Sequence, residues 1–412
     1  MKLLFITADH YPYFGPASNL MRLLFRFGFQ NKEEIHVLTV KNSYFEADEE
    51  TSDGVIIHRA PVWSAYSEQE WELIKSISQE EYIAGKEQQE RERKAIRAVQ
   101  GETLHTGIAY MLGEKLKEFP EGSFDAVIPV PGLIDTMECA LQYQQEHTNT
   151  RVFIWQVDPC ASLRTATETE HKRNVLFERN CFQKANGIFS APVLYQEHQT
   201  HQPVEILEKI YSIEFPNIVP ELFHGKGKKI KEKRILCLYC GMLVRNQREP
   251  DYAMRVFSAL PDNSTAELQF LGALYGVTIN TAERIKYAGR SALSENKEEL
   301  LDADCLVNIS SRAEDMVPSK LFDYISTGKP IISFSKTAKD PVINYLKKYP
   351  LSLVIVENEK PLSEQAAEVD AFLQASCGKR VPEEQILSEY AKCTPRYCAE
   401  LMTENIRKAM QI

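Results

Sequence analysis

The sequence predicts an α/β chain built on two doubly wound parallel sheets. Three observations lead there: short apolar runs without polar alternation, helical segments between them, and a restart of the series after a lysine-rich break. A run without alternation belongs to a strand buried on both faces, and strands alternating with helices give a parallel sheet covered on both sides. At 412 residues the chain is also too long for one ordinary core.

The first run, KLLFIT, is followed by a loop containing Gly15 and Pro16 and by NLMRLLFRF, whose apolar spacing suits a helix beginning near Ser18. EIHVLTV, GVIIHRAP, FDAVIPV, RVFIWQV and NGIFSA are further strands, with helices between them, the longest within about 66–117. These make a first Rossmann-like domain over 1–216. Residues 217–234, NIVPELFHGKGKKIKEKR, carry a proline, two glycines and a lysine run, and read as a linker. Six more runs follow, RILCLYC, AELQFL, RIKYAG, DCLVNI, PIISFS and LSLVIV, each expected to be separated from the next by a helix. They make a second such domain over 235–392. Residues 393–412 hold a last helix with no strand after it, expected to pack back on the first domain. Two facing domains of this kind enclose a cleft, and ligands of open α/β sheets sit at the carboxyl ends of the strands.

Composition excludes several classes. A hydrophobic content of 43% with 26% charged residues describes a globular chain, and a net charge of −10 argues against sequence-independent nucleic-acid binding. The short apolar start lacks the features of a signal peptide, and no run approaches the roughly 20 residues needed to span a bilayer. Nine scattered cysteines suit a reducing cytoplasm. No G-x-G-x-x-G fingerprint points to a nicotinamide dehydrogenase. The lysines of 226–233 and the basic face of KEQQERERKAIR offer a surface for anionic headgroups at the inner face of a membrane. A solvated linker and a solvated helix are the competing reading.

The stretch EDMVPSKLFDYISTGKPII, residues 314–332, concentrates the chemistry. DCLVNI is a strand, SSRAEDMV its carboxyl-end loop, and PSKLFDYIST a helix with Pro318 in its first position and Gly328 at its C-terminal cap. The free N–H groups of Ser319 and Lys320, the helix dipole and the Lys320 ammonium make an anion site. Asp315 in the loop and Asp323 inside the helix can flank one elongated ligand, and a diphosphate with hydroxylated rings at both ends, a nucleotide sugar, fits. An acidic loop also stabilises any helix, and Asp323 on a solvated face is the plainer reading. A second constellation, CLYCGMLVRNQREPDYAMRVF, reads as strand, turn, loop and helix. Gly241 allows close backbone approach, and Arg245 and Arg248 can grip phosphate in bidentate fashion. Both belong to the carboxyl edge of one predicted sheet.

Together these residues resemble the retaining, family 4-type glycosyltransferases of the GT-B fold, in the form found in polysaccharide-assembling members. The resemblance implies a hexosyl transfer from a UDP- or GDP-type sugar to a glycan or lipid-linked acceptor hydroxyl, by front-face attack, with no cofactor and no essential metal. It implies that Asp315 contacts the transferred sugar and Asp323 the ribose, that Arg248 and Lys320 bind the diphosphate, and that Gly289 to Ser291 pass near the nucleobase. In the first domain it places Gly15 and Ser18 near the leaving phosphate and makes Asp158, in IWQVDP, face the donor sugar, so that Asp158, Asp315 and Arg248 are the catalytic candidates. The chain departs from the family in having aspartate at both acidic positions and no Gly-Gly pair in its first loop. Alternatives are a UDP-N-acetylglucosamine 2-epimerase on the same fold and a GT-B-like binding protein without catalysis.

Two motifs stay outside this reading. Cys237 and Cys240 form a C-x-x-C inside an apolar strand, which favours buried thiols over a zinc site. His198 and His201 form an H-x-x-H in what reads as a polar loop with no third ligand nearby, which favours surface histidines.

Overall fold

The structure, a computed structural model, describes residues 1–8, 11–12, 16–29, 33–41, 46–60, 107–131, 135–158, 168–225, 234–289, 297–311 and 316–410. The chain forms two compact units, Met1–Pro216 with Pro395–Ile412, and Asn217–Thr394.

The first unit is built on one eight-stranded sheet. Its strands are β1 (Lys2–Ile6), β2 (Glu34–Val40), β3 (Glu49–Ser52), β4 (Val55–Ala60), β5 (Ala126–Pro129), β6 (Arg151–Gln156), β7 (Gly187–Ser190) and β8 (Ile210–Ser212). Their order is β3-β4-β2-β1-β5-β6-β7-β8, and all pair in parallel except β3, which runs antiparallel to β4. Strand pleating sends alternate side chains to opposite faces. Leu3 and Phe5 therefore join one core with Ile128 and Trp155, while Leu4 and Ile6 join another with Val127 and Ile154. This is why KLLFIT reads as an unbroken apolar run.

The C-terminal helix Pro395–Met410 closes the first core with Cys398, Ala399, Met402 and Ile406. It crosses the end of helix Pro16–Phe27 at Gly28, where an added Cβ would come within 2.7 Å of the Pro395 carbonyl oxygen. Arg407 on this helix reaches the buried Glu33 at 2.9 Å. Most of the helical stretch expected within 66–117 lies outside the described residues; helix Gly107–Leu116 is its described part.

The second unit holds a six-stranded, wholly parallel sheet: β9 (Ile235–Cys240), β11 (Ala266–Leu271), β13 (Ile285–Tyr287), β14 (Cys305–Ile309), β15 (Ile331–Ser335) and β16 (Ser352–Val356). Their order is β13-β11-β9-β14-β15-β16. Counted within the unit this is 3-2-1-4-5-6, the doubly wound order whose switch point lies between the first and fourth strands, β9 and β14. Two residue pairs, β10 (Leu243–Val244) and β12 (Leu274–Tyr275), make a separate small sheet above its edge.

Two expectations need correction. The stretch between β11 and β13 holds β12 and turns in place of a helix; Gly272 and Gly276, both at positive φ, break any helical course there. The stretch 217–234 is not linker from its start. Asn217, Ile218, Val219 and Pro220 are buried in the second unit, and Ser326 Oγ accepts the Val219 N–H at 3.1 Å. The apolar Ile-Val-Pro triplet outweighs the polar residues around it; residues 226–233 lie outside the described residues.

Candidate functional site

The site is built at the switch point of the second unit. β9 ends in Tyr239 and Cys240, and Gly241 turns the chain off the sheet. β10 follows, and a tight turn returns Arg248 to it: Val244 N–H donates to the Arg248 carbonyl at 3.0 Å and Arg248 N–H to the Val244 carbonyl at 2.8 Å. Asn246 takes a left-handed conformation at φ 62° to make this turn. Arg245 is exposed, and its N–H donates to the Tyr275 carbonyl of β12 at 2.9 Å.

Arg248 is half-buried, and its Nε is enclosed without a hydrogen-bond partner among the described residues. Its neighbour is the Tyr239 phenol, which burial pushes up to about 12 while Arg248 pulls the other way. The phenol therefore keeps its proton at neutral pH, and it donates to the Met242 carbonyl at 2.8 Å. A guanidinium held against a neutral phenol, with no carboxylate neutralising it among the described residues, is a standing demand for an anion.

Helix Lys320–Ser326 supplies the other half. With Ser319 as its N-cap residue, the helix starts at Lys320, two residues later than the start expected at Pro318, because Leu321 and Phe322 first close short turns onto the Pro318 and Ser319 carbonyls. Seven residues carry little macrodipole, so the charge here rests on side chains. Lys320 Nζ lies 3.0 Å from Asp323 Oδ2, and both are partly exposed. Gly328 follows at φ 72°, the left-handed conformation of a helix end.

What joins the halves is Tyr324. Its buried hydroxyl accepts the Cys240 N–H at 2.9 Å and donates to the Cys240 carbonyl at 3.0 Å. The helix carrying Lys320 and Asp323 is thereby pinned to the strand end that leads into Gly241 and Arg248. Three glycines line the same edge side by side. Gly241 N–H donates to Leu271, and Gly272 N–H to Gly289, at 2.9 and 3.0 Å. An added Cβ at Gly272 would stand 2.0 Å from the Gly241 carbonyl oxygen, so only glycine fits.

Gly241, Arg245, Arg248, Gly289, Ser319, Lys320 and Asp323 thus all belong to the carboxyl edge of one sheet. Asp315 and Ser291 lie outside the described residues, as does Gly15. In the first unit, Ser18 is the third residue of helix Pro16–Phe27, with its hydroxyl buried and unpartnered among the described residues. Asp158 is exposed just past the carboxyl end of β6. Sequence reasoning missed Tyr239, Tyr324 and Gly272; a glycine directly after an apolar run was the one available signal, for Gly272.

A cavity of about 1080 Å³ opens at the opposite edge of this sheet, among Arg234, Asp304, Lys329 and Arg380. Doubly wound sheets bind ligands at the carboxyl ends, so it is not the site described above. The C-x-x-C thiols are buried, and a spacing of three along β9 sends Cys237 and Cys240 to opposite faces.

No protein-family model matches the chain, and no curated protein matches it in sequence. Solved structures do match it in fold. The E. coli trehalose-6-phosphate protein bound with UDP-2-fluoro glucose superposes with a TM-score of 0.63 at 10% identity, covering 100% of this chain and 99% of its own. The catalytic domain of starch synthase IV from Arabidopsis thaliana, bound to ADP and acarbose, gives 0.57 at 10%, covering 100% and 99%. Sucrose-phosphate synthase from Thermosynechococcus elongatus gives 0.56 at 12%, covering 99% and 94%. The chain has the GT-B fold.

Proposed function

We propose that the protein is a glycosyltransferase that takes a sugar from a nucleoside-diphosphate donor held at the carboxyl edge of the second unit and transfers it to an acceptor hydroxyl. The observation that carries this reading is the Arg248 guanidinium, half-buried beside the Tyr239 phenol at the switch point, with no anionic partner among the described residues. The GT-B fold supports it, since structures of that fold carry UDP-2-fluoro glucose and ADP.

In this reading Arg248 and Lys320 receive the diphosphate. Lys320 turns from Asp323 toward phosphate, and the carboxylate so released accepts hydrogen bonds from the ribose hydroxyls. As the glycosidic bond breaks, negative charge grows on the departing phosphate oxygens, and the two cations stabilise it more than they stabilise the intact donor. Arginine and lysine take the part a divalent ion plays elsewhere. Attack from the face of the departing group gives retention, with Asp315 toward the sugar. The acceptor class is a growing surface glycan, free or lipid-linked.

The test is release of nucleoside diphosphate from UDP-, GDP- and ADP-sugars in the presence of glycan acceptors, with Arg248→Ala beside wild type. We expect turnover with one donor class and a loss of nucleotide affinity of about 10- to 100-fold in Arg248→Ala, the worth of one or two charge-assisted hydrogen bonds. Product formed from the donor without acceptor would mark an epimerase. Unchanged nucleotide affinity in the variant, with no release from any donor, ends the proposal.

A further inference from the structure

The H-x-x-H pair is not a surface feature. Pro192 opens helix Pro192–His201, and a spacing of three sets His198 and His201 on one face. That face turns inward: His198 is 2% exposed and packs edge-on against Phe182. Helix Glu168–Lys184, which precedes β7, contributes Glu178, which is 1% exposed. One ligand atom each of Glu178, His198 and His201 lies within 4.8 Å of the other two.

The surrounding hydrogen bonds fix which ring nitrogens are free. His198 Nε2 lies 2.7 Å from Gln156 Oε1, an acceptor that also receives the Ser190 hydroxyl at 3.0 Å. His198 Nε2 therefore carries the proton, and Nδ1 keeps its lone pair. That Nδ1 is buried and has no partner among the described residues. His201 Nδ1 lies 3.0 Å from the Glu197 carbonyl and so donates to it, leaving Nε2 with the lone pair. Gln156 Nε2 donates to Glu178 Oε2 at 3.3 Å. Each candidate ligand is thus oriented by an outer hydrogen bond, as metal-bound imidazoles and carboxylates are. The His201 carbonyl is tied in turn to Arg179 at 2.9 Å, which holds the helix end.

We propose that Glu178, His198 and His201 bind a divalent cation of the zinc class. Two imidazoles and one carboxylate are a borderline donor set that suits Zn²⁺ and, among ions of similar size, Co²⁺ and Ni²⁺. A tetrahedral ion with bonds of about 2.1 Å holds its ligands roughly 3.4 Å apart, so the observed spacing closes with small side-chain rotations. A cation would also give the buried His198 Nδ1 the partner it lacks among the described residues. Its role is to fasten the two helices to each other and, through Gln156, to the end of β6 two residues before Asp158. The donor site in the second unit takes no part in it.

The experiment uses the untagged full chain with Cys377→Ser, which removes an exposed thiol that would bind zinc on its own. The protein is stripped with a chelator, equilibrated with Zn²⁺, dialysed, and its metal content measured by mass spectrometry. About one retained equivalent is expected, with a rise in thermal midpoint, and its loss in Glu178→Gln and in His201→Gln at unchanged far-UV circular dichroism. Co²⁺ loaded into the wild-type site gives a second readout that needs no variant: the intense visible bands of a low-coordinate ion are expected. Zinc retention no greater than in the Glu178→Gln, His201→Gln double variant, or only the weak spectrum of hydrated Co²⁺, overturns the proposal.

Discussion

The Tyr324 hydroxyl is worth more than its two hydrogen bonds. Replacing it with phenylalanine leaves both the N–H and the carbonyl of Cys240 buried without their partner, in a residue 1% exposed. The cost of such orphaned groups is about 1–3 kcal/mol. Tyr324→Phe is therefore expected to lower the unfolding free energy measured by urea titration by that amount and, by loosening the helix from the strand end, to weaken nucleotide binding; full stability in the variant would remove the pinning role. A second residue-scale effect concerns pH. His58 is buried in β4, with Glu49 at its Nδ1 at 2.9 Å and its Nε2 2.9 Å from His36 Nδ1. Burial first, and His36 next, hold its pKa below the ordinary histidine value. The unfolded chain takes up a proton near pH 6.5 that the folded chain resists, so this contribution to stability is whole above about pH 6.5 and is lost as pH falls from there through the folded value. Urea midpoints at about pH 7.5 and about pH 5.5 are expected to fall further for wild type than for His58→Gln, whose amide keeps a donor toward Glu49 and does not titrate. Arg248 and Lys320 were legible in the sequence because a charge beside a turn or helix start needs no distant partner to be noticed. Tyr324 was not, since its partner lies 84 residues away.

Among the elements, the strands were readable for a physical reason and the turns were not. β1, β9, β14 and β15 are buried on both faces, so each appears as a short, mainly apolar run without strict polar alternation. β10 and β12 have two residues each and carry no period, and β12 with its turns stands where a helix was expected between β11 and β13. Helix Lys320–Ser326 began later than Pro318 suggested, which moved the weight of the anion site from backbone to side chains. The glycine edge adds a constraint that only the folded sheet displays. Gly272 sits at φ 137° with the Gly241 carbonyl where a side chain would be. Gly272→Ala must push that carbonyl aside, at a cost of about 1–3 kcal/mol from overpacking and strain. Because the displaced carbonyl belongs to the turn leading into Arg248, the variant is expected to lose nucleotide affinity along with stability, whereas Gly378→Ala, at φ 76° with nothing within 4 Å, is expected to lose stability alone. Titration calorimetry with the preferred nucleoside diphosphate separates the two.

At the scale of the whole chain, each unit has its own cores, and the C-terminal helix belongs to the first although it follows the second in sequence. The sequence suggested this, because a final amphipathic helix with no strand after it must bury its apolar face somewhere. It did not reveal the device that lets the helix lie so close, since Gly28 looks like any helix-ending glycine. The backbone there leaves no room for a Cβ: the Leu24 carbonyl oxygen would lie at 2.4 Å, the Pro395 carbonyl oxygen at 2.7 Å and the Ala399 Cβ at 2.9 Å. Gly28→Val is then expected to lift helix Pro395–Met410 from its seat and expose Cys398, Met402 and Ile406, all fully buried in the native unit. Hydrogen exchange followed by mass spectrometry should show faster exchange across 395–410 and in β1, whose Phe5 shares that core. Peptides from β9, β11 and β14 should exchange at the native rate, because their side chains pack in a separate cluster. Faster exchange in those strands as well would mean that the two units unfold as one cooperative body, and native rates across 395–410 would mean that the close approach at Gly28 is relieved at no cost.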